Sequence, residues 1–136
     1  MKTLRAMPVL QVSNVPASLR FYCNLGFAQL GQWQGDDVSD DVFFAITQRG
    51  EVSLGLQLLR GPLRVNTHWA AYIYVDDVSA LHRELHGLGV SPTEIRHNDY
   101  GCDDFDVQDP DGHLIAFGQD LHPVHGSGLG ADGGRG

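Results

Sequence analysis

A repeated pattern limits what this chain can fold into more than any other feature. When residues 8–27 are aligned with residues 71–90, an offset of 63, six of the twenty positions are identical. Both copies begin with a β-rich run, and both continue with a helical apolar stripe. Leu25-Gly26 then coincides with Leu88-Gly89, where a helix would end in a left-handed glycine. A duplicated unit predicts two similar modules placed in tandem.

The remainder of each copy follows the same order. Each helix is preceded by a capping candidate, which is Ser13 or Asn14 in the first copy and Asp76 or Asp77 in the second. Each helix is followed by three short runs with strand composition. These runs cover residues 29–33, 42–47 and 52–59 in the first copy, and 93–96, 105–107 and 114–117 in the second. Both copies therefore predict the order β-α-β-β-β.

This order predicts an α+β fold made of two tandem modules. Their strands should form a curved mixed sheet with a hollow on its concave face and the helices outside, because one module alone leaves a sheet face bare. We place the first module at residues 1–60 and the second at 61–121. Residues 122–136 are dominated by glycine and predict a flexible tail, since they offer almost nothing to bury.

Composition narrows the classes of partner. The formal net charge of −8 argues against nucleic acid, whose binding relies on Lys and Arg. No apolar run approaches the roughly 18 residues of a membrane span, and the first residues do not resemble a secretory leader. Cys23 and Cys102 form no metal or redox motif and are predicted to be free thiols, although a disulfide stays open. We therefore predict a cytoplasmic protein.

Three stretches resemble the vicinal oxygen chelate superfamily, and within it the bleomycin-resistance proteins most closely. They are MPVLQVSNVPASLRFYCNLGF, NTHWAAYIYVDDVSALHREL and YGCDDFDVQDPDGHLIAFGQD, which occur in the family's order between residues 7 and 120. The resemblance implies paired β-α-β-β-β modules around a concave site. Metal-dependent members such as glyoxalase I and the extradiol dioxygenases place His or Glu ligands on that face.

The resemblance places those ligand positions on residues that do not bind divalent metals. They fall on Met7, on Leu54 or a near neighbour, on Ala70 and on Ala116. Such cations require carboxylate oxygen or imidazole nitrogen. We therefore predict no metal and no cofactor. His113 is expected to be solvated, and Gln57 would reach the concave face only in a different register.

Aromatic and acidic residues are the remaining candidates for the site. Strand alternation predicts that His68, Ala70, Tyr72 and Tyr74 share one face, with Trp69 on the other. The resemblance implies that Tyr72 and Tyr100 line a groove for a flat cationic ligand, with tyrosine where the family tends to have tryptophan. The alternative is that both are core residues. The predicted ligand-binding residues are Trp33, Phe44, His68, Tyr72, Tyr74, Tyr100, Asp103 and Asp104, the two aspartates forming an acidic rim.

The resulting hypothesis is a binding protein, not an enzyme, that sequesters a planar, cationic small molecule. A metal-dependent lyase, isomerase or dioxygenase is the alternative, and a domain with a vestigial pocket and an interaction role is the third. The resemblance further implies a homodimer that exchanges an N-terminal segment, here residues 1–6. Neither nucleic acid nor a membrane is expected as a partner.

Overall fold

A computed structural model describes residues 1–35 and 41–121. The predicted tail at 122–136 and most of the acidic loop before Val42 lie outside the described residues. The elements of the first half are β1 (Val9–Val12), α1 (Val15–Asn24), β2 (Ala28–Gln34), β3 (Val42–Arg49) and β4 (Val52–Leu58). Those of the second half are β5 (Trp69–Tyr74), α2 (Val78–Gly87), β6 (Arg96–His97), β7 (Cys102–Gln108) and β8 (Leu114–Asp120).

Both helices begin and end in the same way. Asn14 caps α1 by accepting a hydrogen bond from the Ala17 amide at 2.9 Å, and Asp77 caps α2 by accepting one from Ala80 at 3.0 Å. Gly26 and Gly89 follow the helices with φ angles of +88° and +82°. A side chain at either position would be strained, so these glycines allow the chain to turn from helix to strand. The predicted caps and helix ends are confirmed at the repeat offset.

The eight strands within the described residues form two mixed four-stranded sheets, with orders β1-β4-β3-β2 and β5-β8-β7-β6. In each sheet the first strand runs parallel to the last strand of its module, and the remaining pairs are antiparallel. The predicted α+β class with two tandem modules is confirmed. Each module carries its own sheet, and β6 has two residues where β2 has seven.

One hydrophobic core joins the modules. Buried residues of α1, β1, β3 and β4 belong to the same cluster as those of α2, β5, β7 and β8. Polar contacts reinforce the junction: the buried Tyr22 hydroxyl donates to Asp109 at 2.8 Å, and Arg49 pairs with Glu84 at 3.2 Å. Burial raises the pKa of Tyr22, and the adjacent Asp109 carboxylate adds to the shift. The two modules are thus similar units that share one core, and their boundary between residues 60 and 61 stays a prediction.

His113 also contributes to this junction. The prediction of a solvated His113 is wrong, because its side chain is buried and its Nε2 lies 2.7 Å from the carbonyl oxygen of Gln11. The turn that precedes it is closed by hydrogen bonds, since the Asp109 side chain accepts from the backbone amides of both Asp111 and His113. The carboxylate of the Asp-Pro-Asp-Gly turn therefore organises the hairpin and bonds across to Tyr22.

Each sheet turns one face to the shared core and leaves the other face open. On β4, Leu54 and Leu56 are fully buried in the core. Gln57, which follows Leu56 and so points to the opposite face, is exposed. On β7, Phe105 and Val107 face the core, so Asp104 and Asp106 point to the open side. Among the described helices, none has the length and apolar character needed to cross a membrane.

Candidate functional site

The open face of the second sheet carries a connected group of aromatic side chains. The ring centres of Trp69 and Tyr72 are 4.8 Å apart, and those of Tyr72 and Tyr74 are 5.1 Å apart. Tyr72 and Tyr74 share this face because they are two residues apart on β5. Together with Tyr100, these side chains form what we call the aromatic floor: Trp69, Tyr72, Tyr74 and Tyr100.

The prediction that Trp69 faces away from Tyr72 is wrong. The pairing of β5 with β8 is irregular between Trp69 and Ala71, which pair with the successive residues Leu114 and Ile115. One residue, Ala70, is therefore left without a partner in the register. Such a bulge reverses the alternation that precedes it, and it brings Trp69 onto the face of Tyr72. His68 stacks on Trp69 with ring centres 4.1 Å apart, so it lies at the end of the same group.

Asp104 on β7 binds the polar ends of two floor residues. The hydroxyls of Tyr72 and Tyr100 both donate to its Oδ2, at 2.9 and 2.7 Å. Arg96 on the neighbouring β6 donates from Nε to Oδ1 at 3.0 Å. Asp104 is 0% exposed. The prediction that it forms an acidic rim is therefore wrong, since the carboxylate lies beneath the floor and both its oxygens accept hydrogen bonds.

Asp106 binds the polar atom of a third floor residue, the indole nitrogen of Trp69. Its Oδ2 accepts hydrogen bonds from Trp69 Nε1 and from an Arg96 terminal nitrogen, both at 3.1 Å. Thr93 donates from its hydroxyl to Oδ1 at 3.3 Å. Asp104 and Asp106 are two residues apart on β7, so they face the same side. We call these two carboxylates the aspartate pair. Arg96 bridges the pair and leaves one formal negative charge in excess.

These contacts determine the protonation of the groups involved. Burial opposes ionisation of Asp104, but hydrogen bonds from Tyr100, Asn98 and Tyr72, with the charge of Arg96, outweigh it and lower the pKa of Asp104. Burial raises the pKa of Tyr72, and its bonds to Cys102 and Asp104 add to the shift. Burial and the Asp104 bond raise the pKa of Tyr100 to about 12. Near neutral pH the arrangement therefore consists of neutral phenols on an ionised carboxylate.

A glycine lets Tyr72 reach its partner. Gly118 on β8 lies in register between Tyr74 on β5 and Asp104 on β7. A Cβ added at Gly118 would overlap the Tyr72 hydroxyl and the adjoining ring carbons. The tyrosine thus crosses over the glycine backbone to reach Asp104. The Tyr72 hydroxyl also lies 2.8 Å from the sulfur of Cys102, a buried free thiol.

Asp103, another predicted ligand-binding residue, does not contact the aromatic floor. It alternates with Asp104 along β7 and pairs with His97, Nδ1 to Oδ1, at 2.8 Å. The other candidates divide between two places. His68, Tyr72, Tyr74, Tyr100 and Asp104 are grouped on the second sheet. Trp33 and Phe44 contact each other on the first sheet, with ring centres 5.7 Å apart.

The first sheet has a different open face. It presents Val9, Gln11, Phe44, Ile46 and Gln57, which are uncharged. Leu54 is fully buried in the core, and its neighbour Gly55 faces the open side, where an added Cβ would lie 3.2–3.3 Å from Phe44, Val9 and Met7. Gln57 lies on this face, opposite Phe44. Within residues 1–35 and 41–121, no three His, Cys, Asp or Glu side chains are grouped as a metal site would require.

One large cavity among the described residues lies mostly away from the floor. It has a volume of about 650 Å³ and follows the junction between the modules, from the β3–β4 turn to the start of α2. Buried Phe27, Ile73 and Phe117 form part of its wall, and the ion-paired Arg49 and Glu84 also line it. Tyr74 is the floor residue that borders it. We regard this cavity as the seam between packed modules.

Sequence reasoning missed Trp69, Arg96 and Asp106. The spacing of Asp104 and Asp106 on a strand did indicate a shared face, and that signal was available. The bulge at Ala70 left no comparable trace in the sequence, because alanine is compatible with a regular strand. The role of Arg96 depends on the pairing of β6 with β7, which brings it opposite Asp104.

Comparison with known proteins agrees with this architecture. The family model of the glyoxalase/bleomycin resistance protein/dioxygenase superfamily matches residues 5–117. No curated protein sequence matches the chain. Among solved structures, a bleomycin-binding protein from bleomycin-producing Streptomyces verticillus, in complex with copper(II)-bleomycin, is 28% identical with a TM-score of 0.66. The match covers 86% of this chain and 96% of that one.

Two further structures show the range of the likeness. A bleomycin resistance determinant encoded on the transposon Tn5 has a TM-score of 0.69 at 23% identity, covering 87% of this chain and 98% of that one. A glyoxalase-related enzyme from Clostridium phytofermentans has a TM-score of 0.73 at 13% identity, covering 88% and 97%. These two likenesses concern the fold alone. Because the family model matches most of this chain, residues 5–117, the chain belongs to the glyoxalase/bleomycin resistance protein/dioxygenase superfamily.

Proposed function

We propose that the protein binds a planar, cationic small molecule on the aromatic floor and sequesters it without chemical conversion. One observation carries this proposal. The polar atoms of Trp69, Tyr72 and Tyr100 are directed into the aspartate pair, at 2.7–3.1 Å, while Tyr74 and Tyr100 remain 65% and 62% exposed. Aromatic rings held by their polar ends present their remaining surface to a ligand. Stacking and cation–π contacts then supply affinity.

The charge of the molecule supports a cationic ligand. The net charge is −8, and the aspartate pair adds a local excess of negative charge behind the rings. A negative field raises the rate at which cations arrive. The likeness to a bleomycin-binding protein at 28% identity supports the same class of ligand, so copper(II)-bleomycin is the first probe to use.

We propose in addition that the working form is a homodimer. Large apolar side chains remain exposed on the first module, including Val9, Leu30 and Trp33. A second copy related by a two-fold axis would cover such surfaces and close one side of the groove. Sedimentation velocity should then give a dimer at micromolar concentration, whereas a stable monomer would contradict this part of the proposal. Exchange of residues 1–6 between copies and a location in the cytoplasm stay predictions.

Calorimetry tests the binding function. Copper(II)-bleomycin, metal-free bleomycin and 10-methylacridinium should be titrated separately, and at least one should bind with a dissociation constant well below millimolar. Tyr74→Ala should weaken that binding by about three- to tenfold, the scale of one stacked aromatic. Phe43→Ala is the matched control, because Phe43 is an exposed aromatic beside Phe44 on β3 and belongs to neither aromatic group.

The same samples separate binding from catalysis. After incubation, the probe should be recovered with unchanged mass. Turnover of a probe, or stimulation of that turnover by an added divalent metal, would favour the alternative of a metal-dependent lyase, isomerase or dioxygenase. Failure of all three probes to bind would remove the main support for sequestration.

A further inference from the structure

The aspartate pair has an unusual position for charged groups. Asp104 is fully buried, yet its charge is compensated by one guanidinium that is shared with Asp106. Arg96 itself is partly open, with a side chain 40% exposed, whereas the Asp104 side chain is 0% exposed. Two carboxylates and one guanidinium leave one formal negative charge on the inner side of the aromatic floor. Buried charges are costly, so their retention calls for a role.

The contacts of Asp104 point to that role. A single oxygen accepts both phenol hydroxyls, and the residues that donate come from β5 and from the loop before β7. Two rings from separate segments are thereby tied to one atom. A phenol that donates to a carboxylate also gains electron density, which increases the attraction of its ring for a cation. Orientation and charge preference thus depend on the same group.

We infer that Asp104 is a positioning residue for ligand binding: it fixes the Tyr72 and Tyr100 rings and, with Asp106, makes the floor favour a cationic ligand over a neutral one of the same shape. This inference rests on the proposed function for its ligand. Asp104 itself is covered by the residues it binds and does not touch the ligand. Its effect is transmitted through the two tyrosines.

The test compares two probes of nearly equal shape, 10-methylacridinium and neutral acridine, at pH 8. The wild-type protein should bind the cation about tenfold more tightly, within the range of cation–π contributions. Asp104→Asn should reduce this preference to about threefold or less, because the amide carries no charge and holds the hydroxyls more weakly. Equal preference in wild type and Asp104→Asn would overturn the inference.

Asp103→Asn is the matched control. It removes one carboxylate from the adjacent position of β7, so it changes net charge by the same amount, but its side chain pairs with His97 and has no contact with the floor. The cation preference of Asp103→Asn should equal that of the wild type. If both variants lose the preference equally, the general field of the protein sets it and the positioning role is wrong.

A readout on ligand-free protein separates this inference from the proposed function. In a spectrophotometric titration, the wild-type protein should show Tyr100 ionising at about 12. Asp104→Asn should move that step toward the ordinary tyrosine pKa of about 10, and Asp103→Asn should leave it unchanged. Whether or not the wild type binds an acridine probe, this titration decides separately whether Asp104 holds the Tyr100 hydroxyl. An unshifted Tyr100 in Asp104→Asn would overturn the inference.

Tyr100→Phe covers the case in which Asp104→Asn does not fold. Tyr100 is largely exposed, so loss of its hydroxyl should leave the fold intact while the ring remains. The variant should bind 10-methylacridinium about two- to fivefold more weakly, with little change for acridine. Unchanged affinity for both probes would contradict a role for the Asp104 bond.

Discussion

The two modules share a fold and differ in the chemistry of their open faces. In the first module, the strands present apolar and amide side chains such as Val9, Phe44 and Gln57, and Arg64 from the linker lies beside them. In the second, Asp104, Asp106 and Arg96 form a hydrogen-bonded network beneath aromatic rings. The helices, caps and glycine helix ends are nearly the same in both.

This difference shows which parts of a duplicated unit are free to specialise. The core faces must remain apolar because both modules contribute to one hydrophobic cluster. The open faces carry no such requirement, so charged residues can replace apolar ones there without disturbing the core. The proposed function therefore rests on the face chemistry of the second module, with the first module supplying a similar surface of apolar and amide side chains.

A pair of glycines illustrates the point. Gly55 on β4 and Gly118 on β8 are separated by the repeat offset of 63 and both lie on open faces. At Gly55 an added Cβ would meet the side-chain ends of Phe44, Val9 and Met7, at 3.2–3.3 Å. At Gly118 it would overlap Tyr72 itself. The same backbone position makes room for apolar packing in one module and for a hydrogen bond in the other.

The largest difference between the faces should appear when their central side chains are removed. Asp104→Ala leaves two phenol hydroxyls and the Arg96 Nε without their acceptor, so the free energy of unfolding should fall by about 3 kcal/mol. Gln57→Ala, on the first face, should change stability by less than about 0.5 kcal/mol. Urea unfolding followed by circular dichroism measures both variants. Equal decreases in the free energy of unfolding would contradict the difference described between the two faces.

The glycines give a smaller and equally direct contrast. Gly118→Ala should displace the Tyr72 ring and break its bond to Asp104, lowering the free energy of unfolding by about 2 kcal/mol. Gly55→Ala should cost about 1 kcal/mol or less, because the contacting side-chain ends can shift by a few tenths of an ångström. A larger loss for Gly55→Ala would show that the first face is the more tightly constrained one.

The smallest effect concerns pH. Because the folded state lowers the pKa of Asp104, the stability this group contributes is present above its ordinary pKa of about 4 and is lost as pH falls through the lowered value. The wild type should therefore lose more stability than Asp104→Asn between pH 5 and pH 2. Urea midpoints at several pH values test this, and parallel curves for the two proteins would show that Asp104 is not ionised in the fold as described.

The sequence was sufficient for the architecture because the determinants of each element are local. Helix caps at Asn14 and Asp77 and helix-ending glycines are signalled by residue type at a fixed offset. The site depended on features with no local signal. The bulge at Ala70 moved Trp69 to the open face, and the burial of Asp104 arose from tyrosines and an arginine that come together only when β5, β6 and β7 are in one sheet. From the sequence alone, the adjacent Asp103 and Asp104 therefore indicated an acidic rim.

The central claim is that the second module carries the ligand preference. Each module has one tryptophan on its open face, Trp69 in the second and Trp33, 47% exposed, in the first. The most direct measurement compares the dissociation constants of 10-methylacridinium for Trp69→Ala and Trp33→Ala with that of the wild type. Trp69→Ala should weaken binding by about tenfold or more, and Trp33→Ala by about threefold or less. An equal or larger loss for Trp33→Ala would contradict the account.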